Sequence, residues 1–370
     1  MTNSPLRVAV AGLGFGEKVH LEALRTSPDW EPVALWHPRP ERLEEACRSQ
    51  GLRGTTTFAA LLEDPGIDAV VIATPPGPRH QLATAALEAG KHLMLEKPVG
   101  LNAQEVENLH RLALARGLTV AVDFEYRAVP LFQQLADLLQ QGTLGDPWLV
   151  KLDWLMASRA DAARPWSWYS DASQGGGVLG ALGTHAFDLL HWLIGPTSNL
   201  VAQLSTAIGS RPDPGTGAMT AVDAEDVALV QLQLQGRGDQ PVPAQLNLAS
   251  VTRAGRGFWL ELYGSDATLV LGSDNQSDYV HGFGLWIARP GESLRPVAPD
   301  AELAFRRTWG DGRIAPVERL HGWWAQAIRE RRPMVPGLLE ALASQRCCDQ
   351  ARQSAPKNPR IGITANTSSS

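Results

Sequence analysis

The stretch LRVAVAGLGFGEKVH, residues 6–20, decides the fold. A valine-rich apolar run ends in three alternate glycines, Gly12, Gly14 and Gly16, before the chain turns polar. A run so uniformly apolar reads as a strand buried on both faces, and the glycines after it permit a tight turn. Four runs of the same kind follow: EPVALW (31–36), IDAVVIAT (67–74), KHLMLEKP (91–98) and LTVAVDF (118–124). Between them lie helical segments, among them PERLEEACRSQ (40–50), RHQLATAALEAG (79–90) and NAQEVENLHRLALARG (102–117). The last opens with Asn102 and has Glu105 three residues on, a capping-box spacing, and it ends at Gly117. This alternation predicts a doubly wound parallel α/β sheet over residues 1–124.

Beyond Phe124 the pattern changes. A helix in PLFQQLADLLQQG (130–142) leads to a strand in PWLVKLDWL (147–155) and then to the glycine-rich GGGVLGALGTH (175–185). NLVAQLSTAIG (199–209), EDVALVQLQLQG (225–236), PAQLNLASVTR (243–253), FWLELYG (258–264), ATLVLG (267–272) and GLWIARP (284–290) alternate polar with apolar residues between turn signals. They predict one mostly antiparallel open sheet in an α+β domain over residues 125–363. Two helices, near 316–331 and 336–354, close it, and the polar tail 364–370 reads as disordered.

With 370 residues the chain has room for two domains, each with its own core. Its net charge of −6 argues against broad binding to nucleic acid or to anionic membranes, and the basic RERRP (329–333) reads as a helix end. No run approaches the ~18–20 apolar residues of a membrane span. The N-terminus enters a strand directly, with no signal-peptide core, so a cytoplasmic location is expected. Cys47, Cys347 and Cys348 form neither a disulfide framework nor a zinc spacing. No metal site is expected, because the histidines show neither HxH nor HExxH, and His185, Asp188 and His191 spread around their helix.

Glycines between a strand and a helix, with a second strand some twenty residues on, give a phosphate cradle. Gly12, Gly14, Phe15 and Gly16 then face a dinucleotide, with helix N-terminal amides toward the pyrophosphate. The spacing is GxGxG, and Glu17 stands where a third glycine is usual, so the helix must pack differently on its strand. The second strand ends in LWHPRPER, where NAD sites place an acid for the ribose 2′-hydroxyl. His37, Arg39 and Arg42 stand there instead and suit a 2′-phosphate, so NADP is preferred over NAD. The competing reading leaves Arg39 and Arg42 as solvated residues of a helix start.

IATPPGPRH (72–80) and LMLEKPVG (93–100) both lie at carboxyl ends of parallel strands, where ligands bind in such sheets. Thr74, Pro75, Pro76, His80, Glu96 and Lys97 are therefore candidate cofactor contacts. In order, GLGFGxxxH, ATPP…H, EKP, Tyr126-Arg127 and GGGxLxxxGxHxxD resemble the Gfo/Idh/MocA oxidoreductases, over nearly the whole chain. The resemblance implies a Rossmann domain, a C-terminal α/β domain and hydride transfer between NAD(P) and a sugar, polyol or related compound. It also implies a homodimer or homotetramer assembled through the C-terminal sheet, and it suggests a cis Lys97–Pro98 bond. By position, Lys97 matches the family's active-site lysine, and His185 matches its acid/base histidine. Tyr126, Arg127 and Asp188 become candidate substrate contacts, with domain packing as the alternative for the first two. Trp166, Trp168 and Tyr169 could stack on a sugar face or fill the interface.

Ala181 departs from the pattern. The family usually has an aspartate there, four residues before the histidine, where it shares a helix face and can orient the ring. Asp123, Glu125 and Tyr126 are the candidates to support proton transfer in its place. The reading is thus an NAD(P)-dependent oxidoreductase with an altered proton-transfer pair. The alternative is a non-catalytic NADP(H)-binding sensor or regulatory protein of the same fold.

Overall fold

The computed structural model describes residues 4–236, 240–275 and 278–355. Each apolar run of the N-terminal part becomes a strand: β1 (Leu6–Ala11), β2 (Trp30–Trp36), β4 (Ala69–Ile72), β5 (His92–Leu95) and β6 (Val120–Val122). The short edge strand β3 (Arg53–Thr55) carries no apolar run, so its sequence gives no strand signal. Every pairing in this sheet is parallel, in the order β3-β2-β1-β4-β5-β6. Helices α1 (Leu21–Thr26), α2 (Pro40–Gln50), α3 (Phe58–Leu62), α4 (Pro76–Glu88) and α5 (Ala103–Arg116) connect the strands.

Alternation along β1 shows why the sheet is covered on both sides. Val8 and Val10 pack with Leu21, Leu24 and Leu43, while Ala9 and Ala11 pack with Leu61, Ala83 and Leu109. The caps of α5 are local chemistry: Asn102 accepts the Glu105 amide at 3.0 Å, and Gly117 closes the helix at φ 65°. The Glu105 carboxylate reaches back one residue further than a standard capping box, to the Leu101 amide at 2.7 Å.

The chain then runs through α6 (Pro130–Gln140), β7 (Pro147–Leu155), α7 (Thr184–Leu193) and β8 (Thr197–Ser205). A small hairpin, β9 (Ser210–Pro212) and β10 (Met219–Ala221), stands apart from the large sheet. β11 (Val227–Gln235), β12 (Pro241–Ala249), β13 (Gly257–Gly264), β14 (Thr268–Ser273), α8 (Tyr279–Gly282), β15 (Gly284–Ala288) and β16 (Arg295–Pro296) follow. These strands build an eight-stranded sheet ordered β16-β15-β14-β13-β7-β12-β11-β8, antiparallel except between β12 and β7. One face buries the second core against α6 and α7, and β11 alternates buried and exposed residues as a half-solvated strand should.

The last two helices, α9 (Ile314–Arg329) and α10 (Leu338–Ser354), return to the nucleotide sheet. Leu320 and Trp324 join the Val8–Leu35 side, and Leu338 and Leu342 join the opposite side. Trp324 stacks on Trp30 with ring centroids 4.3 Å apart. Among the described residues, no helix is long and apolar enough to cross a membrane. The tail at 364–370 lies outside the described residues.

Candidate active site

In a sheet of this order the strand sequence reverses between β1 and β4, and a crevice opens beyond their carboxyl ends. A cleft of about 780 Å³ lies there, walled by both halves of the chain. Gly12 turns the chain out of β1 at φ 107°, and a Cβ on it would stand 2.6 Å from the Ala73 carbonyl oxygen. A Cβ at Gly14 would meet nothing within 4 Å, because that face looks into the cleft. Gly16 makes the close helix–strand contact, where a Cβ would lie 3.0 Å from Val10.

The GxGxG spacing is absorbed by a π-wound first turn over Gly16–His20, in which the Leu21 amide bonds the Gly16 carbonyl. A π turn takes in one more residue than an α turn, so the missing spacing residue is recovered before α1 begins. This is the altered packing that Glu17 implied. The same turn carries His20 inward. Its Nε2 lies 3.0 Å from Glu96 Oε1 and 3.4 Å from Asp123 Oδ2, and its Nδ1 lies 3.0 Å from His321 Nε2.

His20, Glu96 and Asp123 bring donor atoms within 4.8 Å of one another, as metal ligands would. Hydrogen bonding accounts for the cluster, since His20 is held on both ring nitrogens. Burial alone would lift Glu96, but His20's hydrogen bond and electrostatic pull, with Asp123 and Lys97, draw it down to about 2. Asp123 is lifted well above the usual carboxylate range by burial, then by Glu96 and Glu125. Burial and the neighbouring charges thus drive the two carboxyls apart, Glu96 toward the ionised form and Asp123 toward the protonated one.

Lys97 and Glu125 stand on the cleft wall beside this cluster. Lys97 lies two residues beyond β5, is followed by a cis bond to Pro98, and donates from Nζ to the Ala181 carbonyl at 3.0 Å. Glu125 follows β6 and is nearly buried, and burial raises its carboxyl to about 7, with Lys97 opposing and Glu96 adding to the rise. Its Oε2 lies 3.5 Å from His185 Nε2. His185 is itself buried behind Glu125, edge-on to Tyr126 at 4.9 Å and to Phe124 at 5.8 Å. Burial, and then the charge of Lys97, hold its imidazole well below the usual histidine range, so the ring is neutral.

The glycine run explains how α7 reaches this point. Gly176 packs where a Cβ would lie 2.5–2.7 Å from the carbonyls of Trp168, Tyr169 and Asp171, and Gly177 is at φ 93° beside Glu225. A second π-wound turn, Leu179–Gly183, follows and carries Ala181 to the cleft before α7 starts. π turns recur where a helix must be re-aimed at a functional surface.

Of the expected cofactor contacts, Gly12, Gly14, Phe15, His37, Arg39, Thr74, Pro75, Glu96 and Lys97 line the cleft. Arg42 lies exposed on α2, Gly16 turns into the packing, and Pro76 and His80 sit in the first turns of α4 away from the lining. Tyr126, Arg127 and Asp188 do not reach the cleft. Tyr126 is core among Trp154, Phe132 and His185, and Arg127 forms a buried two-pronged pair with Asp188 at 2.8 and 2.6 Å. Trp166 donates to the Ala221 carbonyl at 3.0 Å and packs on the β9–β10 hairpin. Its neighbours Trp168 and Tyr169 do face the cleft, and Arg159 lies over the Tyr169 ring at 3.7 Å.

The sequence reading missed Arg79 and the His20–His321 contact. Arg79 is buried, donates to the Glu96 carbonyl at 2.8 Å and also to the carbonyls of Thr74 and Pro98, tying two ligand-facing loops together. Its charge inside ATPPGPRH was the available signal. Nothing in sequence links His321 to His20, since they are 301 residues apart.

Residues 6–124 match the family described as an oxidoreductase family with an NAD-binding Rossmann fold, and residues 136–363 match its C-terminal alpha/beta domain. An uncharacterized oxidoreductase of Synechocystis sp. is 43% identical over 366 residues, covering 98% of each chain. A levoglucosan dehydrogenase of Pseudarthrobacter phenanthrenivorans is 28% identical over 74% of this chain and 75% of its own. Among solved structures, levoglucosan dehydrogenase in complex with NADH and levoglucosan superposes with a TM-score of 0.83 at 24% identity, over 95% of this chain and 97% of that one. An inositol dehydrogenase homolog from Azotobacter vinelandii, complexed with NADH and myo-inositol, gives 0.80 at 21% identity, over 96% of each chain. Sequence, sheet order and the placement of the EKP and glycine–histidine segments agree: the chain belongs to the Gfo/Idh/MocA family of oxidoreductases.

Proposed function

We propose that the protein is an NADP(H)-dependent oxidoreductase that interconverts an alcohol and a carbonyl on a sugar, polyol or related small molecule. The observation that carries this reading is one cleft wall holding both the open face of Gly14 and the Lys97–Glu125 pair. The open face suits a dinucleotide backbone, while Lys97 and Glu125 suit a reacting oxygen. When bound, the nicotinamide would accept or donate the hydride. The chain's own residues bind and orient: Lys97, held by the Ala181 carbonyl, presents positive charge to the substrate oxygen. The polyols and sugars named for the relatives support this substrate class.

His37 and Arg39 support NADP(H). His37 Nδ1 accepts the Arg39 amide at 3.1 Å, so the ring's proton sits on Nε2, free to donate toward an anion. Arg39 lines the same end of the cleft beside Trp36, His37 and Pro38, and among the described residues no carboxylate lines that end. Replacing both by alanine is expected to weaken NADPH binding roughly 10- to 100-fold while leaving NADH little changed, read by fluorescence quenching. Tighter binding of NADH than NADPH by the native protein would overturn the preference. Turnover is tested on a panel of sugars, inositols and keto-sugars, and tight cofactor binding with no turnover would make the protein a sensor instead.

We place it in a reducing cytoplasm, a reading supported by three free cysteines, two of them buried. Self-association through the outer face of the large sheet is supported by exposed Leu149, Val201 and Leu229 on it, with exposed Trp148 at its edge. Light scattering that returned the monomer mass at micromolar concentration would refute this.

A further inference from the structure

We infer that Glu125 is the acid/base group of this site, exchanging the proton of the reacting substrate oxygen in place of an aspartate–histidine pair. The inference rests on the oxidoreductase reading above. Three observations carry it. Glu125 lines the cleft together with Lys97 and Ala181, whereas His185 lies behind it and does not reach the lining. Glu125 Oε2 is buried without a hydrogen-bond partner, 3.5 Å from His185 Nε2. Ala181 offers the cleft only a methyl group and a carbonyl, and the carbonyl is taken by Lys97.

A buried carboxylate oxygen with no donor is costly unless a ligand or a proton completes it. Both are available here. Burial raises Glu125 to about 7, the value at which a carboxyl gives and takes a proton with equal ease at neutral pH. The groups that face it fix this balance: Lys97 and Glu96 just beyond β5, Asp123 after β6, His185 on α7 and Arg313 before α9. Lys97 and Arg313 pull the carboxyl down, while burial and Glu96 push it up and win.

In the oxidative direction, the substrate hydroxyl's O–H bond breaks, and its proton passes to ionised Glu125. The oxygen's electron pair closes the C=O bond, and a bound oxidised nicotinamide would take the carbon's hydrogen with its electrons. Reduction runs the same transfers backward from protonated Glu125. His185 is a positioning residue. Its Nδ1 is buried without a partner, so the proton of the neutral ring belongs on Nε2, where it faces the Glu125 carboxylate. The aspartate–histidine order is thus reversed: the carboxyl meets the substrate, and the imidazole steadies it.

The test uses the full-length protein with NADPH or NADP+ bound. Glu125→Gln is expected to lower kcat about 100- to 10,000-fold with cofactor affinity unchanged, and to erase the pH–rate limb near neutrality. Glu125→Asp, which keeps a carboxyl on a shorter arm, is expected to retain part of kcat and the limb. His185→Asn is expected to keep the limb but move it upward, since the ionised carboxylate loses the Nε2–H dipole that faces it from 3.5 Å. Carbon-13 NMR of labelled glutamate reads the Glu125 carboxyl directly, without turnover. Wild-type turnover with a Glu125→Gln variant within a few-fold of it, or with the limb retained, overturns the inference and leaves the oxidoreductase reading standing. Wild-type binding without turnover overturns that reading; in that case a Glu125 resonance that stays ionised over about pH 5–9 overturns the inference as well.

Discussion

A single buried carboxyl couples activity to stability here. Glu125 holds its proton to about 7 in the folded chain, against the ordinary glutamate value of 4.5 once unfolded. Between those values the folded state binds more protons than the unfolded one, so stability falls as pH rises through the window. Above it, the full cost of an ionised, buried Glu125 is present. Glu125→Gln is neutral at every pH and is therefore expected to melt higher than wild type at about pH 8, with the gain shrinking toward zero near pH 4. Thermal melts at both pH values check this, and an equal gain at both would remove burial as the cause. The sequence alone put Glu125 level with Asp123 and Tyr126, because all three lie at the end of one apolar run. Only the fold separates them: Asp123 turns back to Glu96 and His20, Tyr126 enters the aromatic core, and Glu125 faces the cleft.

At the scale of the element, the glycine loop divides its work between conformation and access. Gly12 needs its positive φ and its contact with Ala73, while Gly14 needs neither. Gly12→Ala is expected to destabilise the fold by roughly 1–3 kcal/mol, since backbone rather than a movable side chain opposes the new methyl. Gly14→Ala is expected to leave the melting temperature almost unchanged and to weaken NADPH binding at least roughly tenfold, because its Cβ would enter the cleft alone. Paired melts and binding titrations check the split, and a Gly14→Ala variant that binds normally would remove Gly14 from the cofactor surface. The strands and caps around this loop were legible because they follow from local pattern: valine-rich runs, Asn102 before its helix, Gly117 after it. The two π turns were not. Glu17 in the third glycine's place announced an irregularity, but the extra residue in the turn depends on how tightly Gly16 packs on Val10 and Ala73, a contact between elements.

For the whole molecule, the core of the nucleotide sheet is not closed by the segment that begins it, whereas the second core is built from residues 126–351 alone. The chain reads as a nucleotide half followed by a substrate half, and the sheets obey that order. The packing crosses it. Leu320, Trp324, Ile328 and Met334 complete one face of the nucleotide sheet, and Leu338 and Leu342 complete the other. Trp30 stacks on Trp324 and donates to the His321 carbonyl at 2.9 Å, while His321 holds His20 beside the carboxyl cluster. Amphipathic period identified α9 and α10 as helices but could not say which sheet they cover, because both sheets offer apolar faces. The consequence concerns the isolated Rossmann segment. Burying a large apolar side chain contributes about 1.5–3 kcal/mol, so losing these six removes stabilisation comparable with the ~5–15 kcal/mol that holds a typical domain together. A fragment of residues 1–130 is therefore expected to lack a cooperative melt and dispersed amide resonances, and to bind no NADPH. Adding residues 314–355 in trans is expected to restore part of each, because the missing surface is continuous along two helices. A fragment that folds and binds alone would show that α9 and α10 only cover the nucleotide sheet, and that its core is set by its own five helices.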